Sequence, residues 1–328
     1  MTKPVLAPQP PEGLTDALSH VSANDRWRVP VGILAGLAAG ALWGLVFVAP
    51  RMLPMQAGGY GAVDLMAGRF AMYGLLAAVV MGLGLGRRRW PTLQQAGAAL
   101  GMSVLGFGGY YWLLVLAVGD AGSEVPSLLI GTIPLWLMLL GKPQGLRWPA
   151  LLPGLGLTLA GLVLMMGSAH GSPGEGGLHF WRGVGFALVA MVSWTGFALL
   201  NSAWLKRHPQ VRATDWANWL GVATGLGALL VWGLAGTAPA LLAAREDAMD
   251  FVLLCALAGF GSSWLATLLW NLASQRLSAS LCGQLIVSET LFALLYSFLW
   301  DRHWPTPAQA GAAVLFTLGI IASIRAHR

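Results

Sequence analysis

Long apolar runs alternate with short polar connections ten times along the chain. The runs fall at about 31–49, 64–82, 96–117, 124–140, 148–167, 183–204, 216–234, 251–271, 279–300 and 308–324. A hydrocarbon core of ~30 Å takes roughly 20 apolar residues of helix. The pattern therefore predicts an all-α polytopic membrane protein with ten transmembrane helices. Residues 1–30 are polar and Pro-containing, and are expected to form a disordered cytoplasmic tail. A signal peptide would place its apolar run nearer the start. The run beginning at Val31 is thus expected to stay as a span.

Composition agrees with this reading. Of 328 residues, 56% are hydrophobic and 10% charged, against about 25% charged in soluble domains. The net charge of +6 would suit nucleic acid if the basic residues clustered on one surface. They are instead divided by side. With the N-terminus inside, 14 of the 19 Lys and Arg residues fall in cytoplasmic parts. Arg51, Arg182, Arg245 and Arg302 lie opposite, and Arg69 lies within the second span. This bias predicts both termini in the cytoplasm and a multi-pass inner-membrane location. It also removes the reason to expect a nucleic-acid partner; the lipid bilayer and a small-molecule solute are expected instead.

The chain also looks duplicated. A shift of 151 residues places Asp64 on Asp215, Gly74 on Gly225 and Trp43 on Trp194. A shift of 156 places Ala117 on Ala273, Leu129 on Leu285 and Ile130 on Ile286. The two halves, residues 31–168 and 181–328, would carry five spans each. An odd number of spans forces the halves to opposite orientations, giving two inverted five-helix repeats. A binding site at the repeat interface is the expectation for such an architecture.

Several stretches resemble the drug/metabolite transporter superfamily, in its ten-helix EamA-type branch. They are "GLAAGALWGLVFVAPR" in the first span, "AGRF" in the second, "SEVPSLLIGTIPLW" across the third and fourth, and 268–322 as a whole. The resemblance covers about 31–325. It implies secondary-active export of a small organic metabolite, possibly amino-acid-like, by alternating access. Two departures stand out. The family's frequent Glu-Pro in the ninth span is Glu289-Thr290 here, and Asp301 stands where a Glu commonly closes that helix. Related half-size multidrug carriers hold their coupling acid on the first helix; neither the first nor the sixth span here has one.

A few residues stand out against the apolar background. Glu289 is ten residues beyond Ala279, ~15 Å into the membrane. An ionised acid there costs ~2.5 kcal/mol or more, so it must face protein or water. Arg69 lies ~7 Å inside the second span; it could pair with Glu289, bind an anionic group of a solute, or snorkel outward. Trp43, Trp194, Tyr110, Tyr111 and Trp264 are expected to shape an aromatic cavity. Ser263, Thr267 and Asn271 form a four-residue polar stripe on the eighth span, lining a pathway or bonding neighbouring helices. Pro134 lacks an N–H and crowds the carbonyl of Ile130, so the fourth span should kink there. Gly32, Gly36, Gly40 and Gly44 share one helix face, where another backbone can approach closely. Most of the tryptophans sit near span ends, where they anchor at the interface; Trp43, Trp112, Trp136, Trp194, Trp264 and Trp270 lie deeper.

No phosphate-cradling Gly-rich lysine loop, His-Glu-x-x-His helix or Gly-x-Ser-x-Gly elbow is present. The two cysteines show no metal spacing. The expectation is a carrier rather than an enzyme, with no cofactor and no metal. Glu289 and Arg69 would supply the charges of its cavity, and Glu289 is the candidate for proton coupling. A membrane-embedded enzyme on a lipid-linked substrate and a non-transporting sensor are the alternatives.

Overall fold

The computed structural model describes residues 12–47, 60–84, 90–121, 124–168, 177–302 and 304–327. Every regular element among them is helical. In chain order the α-helices are α1 (Glu12–Gly44), α2 (Ala62–Gly82), α3 (Leu93–Gly106), α4 (Gly108–Ala121), α5 (Glu124–Gly131), α6 (Ile133–Leu140), α7 (Trp148–Ser168), α8 (Leu178–Arg207), α9 (Ala213–Ala235), α10 (Pro239–Ala243), α11 (Ala248–Ala258), α12 (Ala266–Arg276), α13 (Ala279–Asp301) and α14 (Pro307–Ala326). A wider π turn, Gly259–Leu265, joins α11 to α12.

Nine helical stretches among the described residues are long and apolar enough to cross a membrane. The fourth expected span, 124–140, is not one of them, because it arrives as two eight-residue helices. The break falls at Thr132, and Pro134 sits in the first turn of α6. That position suits a residue with no N–H. The Thr132 hydroxyl donates to the Leu129 carbonyl at 2.6 Å, satisfying one acceptor left by the end of α5. The expected kink is therefore a full interruption.

A second difference lies at the N-terminus. The stretch expected to be disordered is helical from Glu12 onward, continuous with the first span. No Gly or Pro interrupts residues 14–29, so the pattern holds nothing to stop the helix before Pro30. Residues 1–11 lie outside the described residues.

Packing follows a small set of pairs. Helix α2 crosses α9, α7 packs on α14, α4 on α8, α6 on α13, and α1 on both α12 and α13. The glycine face of α1 does what its spacing predicts. A methyl group on Gly36 would fall 2.7 Å from Leu285 Cδ1, and one on Gly44 2.9 Å from the Ala293 backbone nitrogen. At the α2–α9 crossing, a methyl on Gly74 would come within 2.7 Å of the Gly225 Cα, and the reverse holds equally. Only glycine allows backbones this close.

The bundle has two main apolar clusters. One gathers around α1, α12, α13 and α14, with Leu137, Leu285 and Phe316 at its heart. The other joins α2, α3, α8 and α9 through Phe70, Phe197 and Leu220. Trp194 packs against both. Large apolar side chains such as Leu75, Leu226, Leu230 and Leu257 stay exposed on the outside. A helix bundle facing lipid has no reason to hide them.

Candidate functional site

Between the two clusters lies a cavity of about 850 Å³. Its walls come from the points where helical regularity fails. Gly106 and Phe107 line it, at the break between α3 and α4. Ile130, Gly131, Thr132, Ile133 and Pro134 line it, at the break between α5 and α6. Irregular backbone at membrane depth is tolerated where it is buried or lines a cavity, and both breaks meet that condition. At the first break, Gly106 makes room for the Phe197 ring, into which any larger side chain would run.

Aromatic rings form most of one side. Trp43, Trp194 and Trp270 contact one another pairwise, with centroids 6.4, 5.5 and 6.3 Å apart. From Trp194 the contacts continue through Phe197, Phe107 and Phe70 to Tyr111, and Tyr110 packs edge-on against Tyr111 at 5.3 Å.

Arg69 and Glu289 are the charged residues of the lining among the described residues. Arg69 is held firmly. Its Nε donates to Ser263 Oγ at 2.8 Å, and Nη1 donates to the Tyr111 hydroxyl at 3.2 Å. The guanidinium also lies 4.9 Å from the Phe70 ring centroid. Ser263 belongs to the π turn between α11 and α12. Such turns re-aim a side chain that a regular helix would point elsewhere. A guanidinium has five N–H donors, so most of Arg69's donors remain for a guest.

Glu289 differs. Among the described residues it makes no hydrogen bond, and no salt bridge joins it to Arg69. Both charges therefore face one cavity without neutralising each other by contact. Of the three alternatives open to Arg69, pairing with Glu289 is not what this structure holds, because Arg69 is turned toward Ser263 and Tyr111.

Of the residues singled out from sequence, Glu289, Arg69, Trp43, Trp194, Tyr110, Tyr111 and Pro134 all line the cavity. Trp264 and Asn271 do not. The Trp264 indole donates to Asn218 Oδ1 at 2.7 Å and its ring packs with the α2–α9 cluster. Asn271 is fully buried against α8, where its Oδ1 accepts from Asn201 Nδ2 at 3.1 Å. The displacement of Asn271 has a local cause. The π turn adds a residue to the turn, so the four-residue stripe of Ser263, Thr267 and Asn271 does not stay on one wall. Ser263 meets Arg69, Thr267 reaches the cavity, and Asn271 turns to α8.

Trp270, Phe107 and Thr132 also line the site. Trp270 was visible in sequence as a deep tryptophan. The Phe107 break had only its glycine-rich setting, "GFGGYYW", to announce it. Among the other deep tryptophans, Trp136 is 43% exposed and lies outside the lining.

No cluster of His, Cys, Asp and Glu suited to a metal ion occurs among the described residues. Away from the spans, Asp247 accepts from the Tyr60 hydroxyl at 2.9 Å and from Arg245 Nε at 3.1 Å. The Tyr60 hydrogen bond, helped by the Arg245 guanidinium, holds the Asp247 carboxyl below the ordinary carboxylate range.

Helices of this length, an apolar exterior and a central cavity that takes in two charged side chains define a multi-pass membrane protein. The inner membrane protein YtfF of Escherichia coli (strain K12) is 31% identical to the chain over 318 residues, covering 90% of this chain and 95% of that protein. The chain belongs to the family of that inner membrane protein. One protein crystal structure superposes with a TM-score of 0.71 over 89% of this chain and 96% of that one. At 22% identity, that likeness shows a shared fold. No family model matches the chain.

Proposed function

We propose that the protein is a secondary-active transporter, and no enzyme, that carries a small organic solute through the central cavity by alternating access. The observation that carries this reading is the pair of charges, Arg69 and Glu289, facing one aromatic cavity of about 850 Å³ without contacting each other. Charged groups are expensive in a membrane and mark solute or ion pathways. A cavity with an anchored cation, a free acid and aromatic walls fits a solute bearing both charge and apolar surface. An amino-acid-like metabolite meets that description. Export is the direction that the resemblance to the EamA-type branch of the drug/metabolite transporters implies. Proton coupling through Glu289 is part of the same reading.

Two further observations support an architecture of ten spans in two inverted halves. Gly74 and Gly225, matched by the 151-residue shift, touch each other reciprocally at the α2–α9 crossing. Equivalent residues meet in this way where a two-fold axis passes between them. The helix pairs obey the same exchange: α1 on α12 corresponds to α8 on α4, and α2 on the α11–π segment corresponds to α9 on α3. In this reading the α5–α6 segment is the broken fourth span. The distribution of Lys and Arg then sets both termini in the cytoplasm.

The test combines binding with flux. Purified protein is screened by thermal shift against charged and zwitterionic metabolites at two pH values, beside Glu289→Gln. Solutes that stabilise the wild type are then assayed for gradient-driven movement in proteoliposomes. The expected result is a solute that stabilises the wild type, loses that effect or its pH dependence in Glu289→Gln, and crosses the vesicle wall. Binding without flux would favour a sensor. Chemical turnover of the solute without a gradient would favour an enzyme.

A further inference from the structure

Four buried side-chain polar atoms on two neighbouring helices have no hydrogen-bond partner in the protein. They are Thr195 Oγ1 and Ser202 Oγ on α8, and Trp270 Nε1 and Asn271 Nδ2 on α12. One more such atom occurs among the described residues, His327 Nε2, near the end of the described chain. Each of the four residues is at most 6% exposed. Positions 195 and 202 share one face of α8, and 270 and 271 are neighbours on α12. The nearby Thr267 and Ser274 hydroxyls turn instead to the Tyr73 hydroxyl and the Cys282 thiol.

The two faces belong to one seam. Helices α8 and α12 pack on each other, and their contacts advance together along both stretches of sequence, from Trp194 with Trp270 to Val211 with Gln275. Trp194 lies 6.3 Å from Trp270 at the cavity. Asn201 Nδ2 donates to Asn271 Oδ1 further along, and Gln275 Nε2 donates to the Val211 carbonyl at the far end. The unpartnered atoms therefore form a column. It starts at the cavity floor, where Trp270 lines the wall, and runs by way of Asn271 to Ser202, toward the end of α8 at Arg207.

Buried polar groups are almost always paired with protein or ordered water. A helical Ser or Thr hydroxyl can turn to a carbonyl one turn back. The indole N–H of Trp270, on a rigid ring, has no such recourse. An apolar seam would serve helix packing equally well and would leave none of these groups wanting. We propose that the α8–α12 seam binds a file of ordered water molecules leading from the cavity floor toward the α8–α9 end of the bundle. Seven helical residues span ~10 Å, room for about three or four waters at hydrogen-bond spacing. The file is too narrow for an organic solute. It gives the cavity a route by which protons can exchange with the far end while the helices stay closed. Nothing in it depends on which solute, if any, the cavity carries.

The test measures water directly. Protein labelled with ¹⁵N in its tryptophan indoles is reconstituted in bilayers, and magnetisation transfer from water to each indole N–H is followed by solid-state NMR. The Trp270 signal is assigned by its loss in Trp270→Phe. Trp90 and Trp304, both largely exposed, give the rate for a hydrated indole. The expected transfer to Trp270 is within about twofold of theirs. A rate several-fold slower means a dry seam and overturns the proposal. Thermal unfolding of Thr195→Ala and Ser202→Ala provides a readout that does not need the assignment. Hydroxyls that hold water should lower the midpoint when removed. Midpoints that stay level or rise would mean bare or back-bonded hydroxyls, and would overturn it as well.

Discussion

Helices α2 and α13 both bring a charge to the cavity, but they are held very differently. Along α13, residues 280–288 are all buried, while none of residues 289–300 is. The tightly packed part ends one residue before Glu289. Helix α2 is fastened at intervals along its length. Asp64 accepts from the backbone N–H and the hydroxyl of Thr237, Arg69 is bonded to Ser263 and Tyr111, and the Tyr73 hydroxyl donates to the Ala217 carbonyl at 2.6 Å. The cation is thus preorganised and the acid is left free. A fixed charge contributes to recognition, since little entropy is lost when a guest docks. A free one can change its partner during a cycle. In the transport reading proposed above, binding would fall to the α2 wall and response to the α13 wall.

The largest expected effect comes from removing the fixed geometry while keeping the charge. Arg69→Lys cannot donate to Ser263 and Tyr111 in the same fork. Losing a charge-assisted hydrogen bond costs ~1.5–3 kcal/mol, so affinity for a stabilising solute should fall by roughly 10- to 100-fold in a titration. Unchanged affinity would mean that the α2 wall does not recognise the solute.

Gly225→Val should come next. Its added carbons meet the Gly74 backbone rather than a movable side chain. Overpacking of this kind costs about 1–3 kcal/mol, read as a lower unfolding midpoint. An undiminished midpoint would show that α2 is not pinned where the comparison requires it.

Glu289→Gln removes no hydrogen bond among the described residues. Its unfolding midpoint should hold or rise, with a stability change of about 0.5 kcal/mol or less. A clear fall would mean that Glu289 is as firmly tied as Arg69, and the contrast would collapse.

The smallest effect is expected at the end of the α2 region. The Asp247 carboxyl is held low in the folded state, so its contribution is complete above the unfolded carboxylate pKa of ~3.9 and fades as pH falls through the folded value. Asp247→Asn should therefore lower stability slightly at neutral pH and flatten the acid side of the profile, the difference from the wild type closing as pH falls through the folded value. A loss that persists undiminished well below the ordinary carboxylate pKa would contradict this.

Much of the fold was legible in the sequence because lipid imposes one strong rule, the length of an apolar run. That rule found the first three spans and the last six, and Pro134 marked the fourth as irregular. It did not show the break at Phe107, where no proline stands and the glycines beside it are only weak helix formers. It did not show the π turn at Gly259–Leu265 either, because that feature changes register without changing composition. The cost appears in the site. Glu289 and Arg69 were found because charge in an apolar run is conspicuous. Trp43 and Trp194 were found because depth and the repeat pointed to them. Asn271 was misplaced because counting by fours assumes an unbroken α-helix, and Trp264 because depth along a helix does not say which neighbour a ring meets.

The contact between Gly74 and Gly225 also carries a consequence for how the protein is made. The ribosome adds roughly 5–20 residues per second, so α2 waits about 10–30 seconds before its partner helix exists. Ser263, which anchors Arg69, is synthesised later still. During that interval a guanidinium destined for the interior has Phe70 and Tyr111 beside it but lacks Ser263. The insertion machinery or the lipid headgroups must shelter it until the second half of the chain arrives. Biogenesis should therefore be least secure when translation stalls between α2 and α9.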